Sequence, residues 1–189
     1  MSTSALNSQP SDFIPLEPDF NPYDFLPAVP SFRLGSEDFE DGKPLDPKFA
    51  HSWAPDSEDI SPELHWEAFP AQTRSFAVTC FDPDIANVSG FWHWMLIGLP
   101  VGTTQLPRGA GSGQDLPDGA FQIRNDLGAR GYLGPAPPKG DRPHRYLFAV
   151  HALDVDQLPV TADMTPAFVA YNMTAHTLAR ALCQPTFQN

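Results

Sequence analysis

Proline occurs 22 times in the 189 residues, more than twice its usual share of about 5%. The pyrrolidine ring fixes φ and removes a backbone donor, which bars it from helix interiors and central strands. A chain interrupted this often predicts short strands, many turns and few helices. Hydrophobic residues still make up 41% of the chain and aromatics 12%. That is enough for the core of one ordinary domain of this length.

Charge narrows the partners. Eleven Lys and Arg against 23 Asp and Glu give a formal charge of −12. Neither a nucleic acid nor an anionic membrane surface suits such a chain, because both need a basic face. No apolar run approaches the roughly 18 residues of a spanning helix, so no integral membrane segment is expected. The two cysteines, Cys80 and Cys183, lie in apolar contexts and read as reduced core residues of a cytoplasmic protein. No Lys or Arg precedes Arg33, so a secretory leader is not expected.

Residues 1–30 form a Pro-rich, acidic arm. Its first dozen residues read as disordered. Phe13, Phe20, Tyr23 and Phe25 suggest that the rest lies on its own domain or reaches across a partner. Residues 31–189 read as a single domain. Strand candidates are the SFRLGS segment, an extended piece around Leu64 and Trp66, Arg74 to Phe81, Gly90 to Pro100, and His144 to Asp154. The near-continuous apolar character of the last three predicts burial on both faces. Thr165-Pro166 is a helix start, with Thr as N-cap and Pro at the first helical position. Phe168, Tyr171, Ala175, Leu178 and Leu182 then share one helical face, which predicts a helix running to about Gln184-Pro185. The fold class is mainly β: sheets or a sandwich with one helix packed on them.

Strand alternation sorts the polar residues. It places His93 with Phe91, Met95 and Ile97, and turns Trp92 and Trp94 the other way. His144 and Tyr146 share a face, opposite Arg145 and His151. Asp82 and Asp84 sit where the strand from Arg74 ends. Histidines, a tyrosine and glycine amides beside a Gly/Pro loop suit a small anion or phosphorylated ligand. The same residues are also what packed strands and Asp-Pro turns use. His51, His65, His151 and His176 read as ordinary core or surface residues. No nucleophile elbow, HExxH or P-loop is present, so no enzyme activity, metal or cofactor is expected.

The order of two segments adds to this. CFDPDIANVSGFWHW, followed by GYLGPAPPKGDRPHRY, resembles the phosphatidylethanolamine-binding protein family, in particular its bacterial Raf kinase inhibitor-like branch. ISPELHW, RSFAVTCFD and the C-terminal AHTLARAL also fit, and the resemblance covers about Phe32 to Leu182. It implies a large antiparallel sheet packed on a smaller one, with a C-terminal helix near a ligand pocket. By the same resemblance the pocket is lined by Asp82, His93, Gly134, Pro135, His144 and Tyr146. Asp84 supports the loop, and Arg145 is structural. The implied function is non-enzymatic binding of a small anionic or phosphoryl group by a homodimer. Alternatives are an inhibitor or scaffold for a protein kinase or protease, and a cryptic phosphoester or ester hydrolase. The chain departs from the pattern at Ile85-Ala86 and Ala136, and its N-terminal arm has no counterpart.

Overall fold

The computed structural model describes residues 20–189, so the expected disorder of the first dozen residues lies outside the described part. The strands are β1 (Arg33–Gly35), β2 (Leu64–Glu67), β3 (Ser75–Asp82), β4 (Phe91–Pro100), β5 (Gln105–Leu106), β6 (Phe121–Gln122), β7 (His144–Arg145) and β8 (Leu147–Leu153). Then come the helix α1 (Pro166–His176), β9 (Thr177–Cys183) and β10 (Thr186–Phe187). A five-stranded sheet runs in the order β6-β4-β3-β8-β9, and a three-stranded sheet in the order β1-β2-β5. β7 pairs with β10, and the named pairs are antiparallel. The mainly β class and the packing of a large sheet on a smaller one are therefore as expected.

The large sheet is buried on both faces. Phe76, Val78, Cys80, Trp94, Phe148 and Val150 pack with Leu64, Trp66 and Leu106 of the small sheet. On the opposite face Ala77, Met95, Ile97 and Leu153 pack with Val169 and Met173 of α1. Burying each of the larger side chains among them is worth roughly 1.5–3 kcal/mol, and this two-sided burial explains the unbroken apolar runs. Residues 22–30 lie along the second face. Tyr23 is buried there, with its hydroxyl 3.1 Å from Thr79 Oγ1.

Strict alternation fails along β4. The register against β3 shifts twice, between Phe76 and Val78 and between Cys80 and Phe81. Each shift places one extra residue in β4, the signature of a β-bulge. The first lies near Gly98, whose φ of 77° and close approach to Gly119 O leave no room for a side chain. The second is at His93: Cys80 faces Trp94 and Phe81 faces Trp92, so His93 has no partner in the ladder. Trp94 consequently joins the inter-sheet core, while Trp92 packs on the helix side. The expected grouping of His93 with Met95 and Ile97, and of Trp92 with Trp94, is thereby corrected.

The helix is also shorter than expected. Thr165 caps it, accepting from Phe168 N, and Pro166 is its first residue. It ends at His176, and Thr177–Cys183 is instead an edge strand paired with β8. The buried helical face is Pro166, Val169 and Met173, while Phe168 and Tyr171 are exposed. In β9 the buried residues are the small ones, Ala179, Ala181 and Cys183.

Candidate ligand pocket

Asp82 is the last residue of β3, and the chain turns there because Pro83 cannot extend the ladder. Its side chain organises the turn: Oδ1 accepts from the Asp84 and Ile85 amides at 2.7 and 3.1 Å. Its Oδ2 lies 2.8 Å from His144 Nδ1. Asp84, with a fully buried carboxylate, accepts from Arg145 Nε and from the Arg145 amide at 2.8 Å each. Arg142 reaches it at 2.8 Å. These bonds tie the end of β3 to β7. Burial pushes the Asp84 carboxyl up, but the arginine bonds outweigh it and hold it below the usual carboxylate range.

At Tyr146 the chain leaves β7 and enters β8, with its amide donating to Pro185 O at 2.9 Å. The Tyr146 ring is buried, and its centroid lies 5.1 Å from that of His93 in an edge-on contact. Its hydroxyl has no hydrogen-bond partner among the described residues. His93 leans from the bulge into the same space and, with its Nδ1–H, donates to Leu133 O at 2.8 Å. Together these residues line a cavity of about 120 Å³, shared with Phe91, Leu133 and Gly134. That is well below the roughly 300 Å³ of a typical drug-sized site.

The two imidazoles are held alike, but their pKa values move in opposite directions. Each has Nδ1 committed to an internal acceptor, which leaves Nε2 as its remaining polar atom. Burial drives the His93 pKa below the ordinary value, against the Leu133 carbonyl and Asp82. Burial acts on His144 in the same sense, but the bonded Asp82 carboxylate, with Asp84 and Asp141 nearby, reverses it and raises the pKa. Asp141 Oδ2 stands 3.6 Å from His144 Nε2. The environment thus favours the protonated form of His144 and the neutral form of His93, with the Tyr146 hydroxyl beside them.

The structure brings Asp82, His93, Gly134, His144 and Tyr146 to this one cavity. Gly134 does not offer its amide to a ligand: that N–H donates to Asp59 Oδ1 at 2.7 Å. A Cβ at Gly134 would come within 2.4 Å of backbone atoms of Phe49, Ala50 and His51, so close approach to residues 49–51 is what requires glycine. Pro135 is not in the lining; it is buried behind it, accepting from the His51 amide at 2.9 Å. Ala136, Pro137 and Pro138 form that wall instead. The helix expected near the pocket lies on the other face of the large sheet. The C-terminal tail does reach the pocket loop, through Asn189 to Pro137 O at 2.6 Å and Gln188 to Asp141 O at 2.7 Å. His51, read from the sequence as an ordinary core or surface residue, and Trp53, which received no reading, also line the cavity, with ring centroids 4.4 Å apart. Trp53 is 73% exposed. Only the unpatterned apolar residue at position 53 in a polar loop hinted at this. Among the described residues, no group of three His, Cys, Asp or Glu side chains could hold a metal ion.

Comparison with known proteins places this geometry. The family model for phosphatidylethanolamine-binding proteins matches residues 35–188. The UPF0098 protein YbhB of Escherichia coli is 46% identical over 151 residues, which is 79% of this chain and 95% of that protein. YbcL of the same organism is 38% identical over 167 residues, 87% of this chain and 91% of its own length. The crystal structure of E. coli YbcL superposes with a TM-score of 0.80 at 39% identity, covering 84% of this chain and 99% of that one. A phosphatidylethanolamine-binding protein homologue from Chlamydia trachomatis gives 0.71 at 28%, over 84% of this chain and 98% of its own. A carboxypeptidase Y inhibitor, solved in complex with its proteinase, shares the fold at 18% identity and a TM-score of 0.53, over 85% of this chain and 84% of the inhibitor. The matched residues 35–188 include both segments that build the pocket, and the chain belongs to the phosphatidylethanolamine-binding protein family.

Proposed function

We propose that the protein is a non-enzymatic binder of a small anion or phosphoryl head group, held between His93, His144 and Tyr146. The observation that carries this reading is the meeting of three polar side chains in the lining of one small cavity. They are two buried imidazoles, each with Nδ1 already bonded, and a buried tyrosine whose hydroxyl has no partner among the described residues. An unpaired buried hydroxyl costs about 1–3 kcal/mol, which an oxyanion accepting from it would recover. Protonated His144 adds a charge-assisted hydrogen bond. Neutral His93 accepts one, so a singly protonated phosphate ester matches all three groups. The cavity of about 120 Å³ suits the head group rather than acyl chains.

Calorimetric titration with inorganic phosphate and phosphorylethanolamine tests the reading. Saturable binding to the wild type, weakened at least about tenfold in a folded His93→Ala protein, is expected for loss of a direct hydrogen bond. No saturable binding, or binding indifferent to His93→Ala, contradicts it. The proposal includes a homodimer in the cytoplasm. Exposed Phe25, Trp53 and Tyr171 support self-association, and two buried free thiols support a reducing compartment.

A further inference from the structure

The large sheet carries a second concavity, on the face away from the pocket. It is a groove of about 580 Å³ walled by residues 22–27 on one side and α1 on the other, with Phe81, Trp92 and His151 from the sheet. That volume falls within the roughly 300–1,000 Å³ of sites that hold drug-sized molecules. Its lining is mostly apolar; of its two buried side chains with polar atoms, Tyr23 has its hydroxyl bonded to Thr79, which leaves His151.

The hydrogen bonds around His151 fix its tautomer. Thr177 Oγ1 lies 2.8 Å from Met173 O, a carbonyl of the last helical turn, and can only donate to it. The hydroxyl therefore accepts from His151, whose Nδ1 lies 3.3 Å away. Nδ1 carries the proton and Nε2 is left as a bare acceptor. That atom is buried and has no partner among the described residues. Burial pushes the imidazole pKa down to about 3, with the Arg180 cation adding to the effect. The ring thus stays neutral, and a neutral Nε2 lone pair repels a carboxylate or phosphate oxygen.

We infer that this groove binds a neutral, largely apolar small molecule of the phenol or alcohol class, which donates its single O–H to His151 Nε2. The aromatic walls from Phe81 and Trp92, whose ring centroids are 4.5 Å apart, favour a flat ring system. The wall at residues 22–25 is a single 3₁₀ turn. It is held by the Tyr23 hydroxyl on Thr79 and by Arg180 on the Tyr23 carbonyl at 3.4 Å. The Tyr23 ring centroid lies 6.0 Å from that of His151, so this short turn guards the acceptor.

The test uses 1-naphthol and 1-methoxynaphthalene, alike in shape but differing in the O–H. Amide and indole shifts of Trp92, Ala170 and Met173 are followed by NMR as each is added to the full chain. The wild type is expected to bind naphthol at least about tenfold tighter than its methyl ether, the weight of one buried hydrogen bond. His151→Phe keeps the shape, removes the acceptor and is expected to bring naphthol down to the level of the ether. Ala170→Trp, at a half-buried helix position in the groove wall, fills the space and is expected to abolish both. Should His151→Phe fail to fold, the wild-type comparison and Ala170→Trp still decide the matter. Equal affinity for the two probes overturns the inference, as does the absence of saturable shifts at the groove. Shifts at the same residues on raising protein concentration alone, without response to either probe, overturn it in favour of a second copy.

Discussion

His93 and His144 show how identical residues acquire different chemistry. Both are buried and both bind through Nδ1, but a carbonyl holds one and a carboxylate the other. The carbonyl cannot compensate desolvation of an imidazolium, whereas Asp82 can. Only His144 keeps its proton above the ordinary histidine value near ~6.5. The sign follows: the cationic donor is present below the raised pKa and lost as pH rises through it. Affinity for 2-hydroxyethanesulfonate, whose charge is constant and whose hydroxyl can donate to His93, is expected to be level in mild acid. It then falls by up to about tenfold per pH unit above the His144 pKa. A profile flat from about pH 5.5 to 8.5 removes charged histidine from binding. At this scale much of the site was legible: Asp82, His93, His144 and Tyr146 come from two recognisable segments and share one cavity. The roles of Gly134 and Pro135 were not. Theirs are set by residues 49–51 and by Asp59, about 75 positions away in sequence, and no local pattern records such a contact.

Among the elements, the strands were readable because apolar runs between proline and glycine breaks leave little choice. β9 was not. Thr177–Cys183 is rich in Ala, Leu and Arg, all good helix formers, and continues a genuine helix. Its period-2 signal is carried by Ala179, Ala181 and Cys183 facing inward, with larger Leu178 and Leu182 on the other face. Small apolar residues inside and large ones outside blur the alternation, and pairing with β8 overrides local propensity. The two readings differ in which substitution hurts. Ala181 is fully buried against the core, so Ala181→Leu is expected to cost about 1–3 kcal/mol through overpacking. Leu182→Ala, at a position 36% exposed, is expected to cost less than about 1 kcal/mol. Urea denaturation of both variants measures this, and the reverse order of costs speaks for a continuous helix.

For the whole molecule, the buried histidines make stability depend on pH in opposing senses. His151 is held neutral, with its folded pKa near about 3. Its contribution is fully present above the unfolded value near ~6.5 and is lost as pH falls from there toward the folded value. His93 acts in the same direction. His144, with a raised pKa, does the reverse: its contribution is present below ~6.5 and fades as pH rises through the folded value. Between pH 6.5 and 4.5 His151 alone is expected to remove about 2 kcal/mol. Comparing urea midpoints of wild type and His151→Phe at these two pH values isolates that share, because the other groups are common to both. Equal losses in the two proteins contradict it.

The bulge at His93 carries a consequence of its own. Its imidazole reaches the pocket because β4 holds one residue more than its neighbour at that point. Chemistry here is a matter of counting as well as of identity. Removing Trp92 would restore even alternation and set His93 opposite Phe81, on the helix side of the sheet and away from the cavity. A deletion at this position can therefore silence the pocket with both histidines still in the chain, whereas the same deletion in a surface loop would leave it intact.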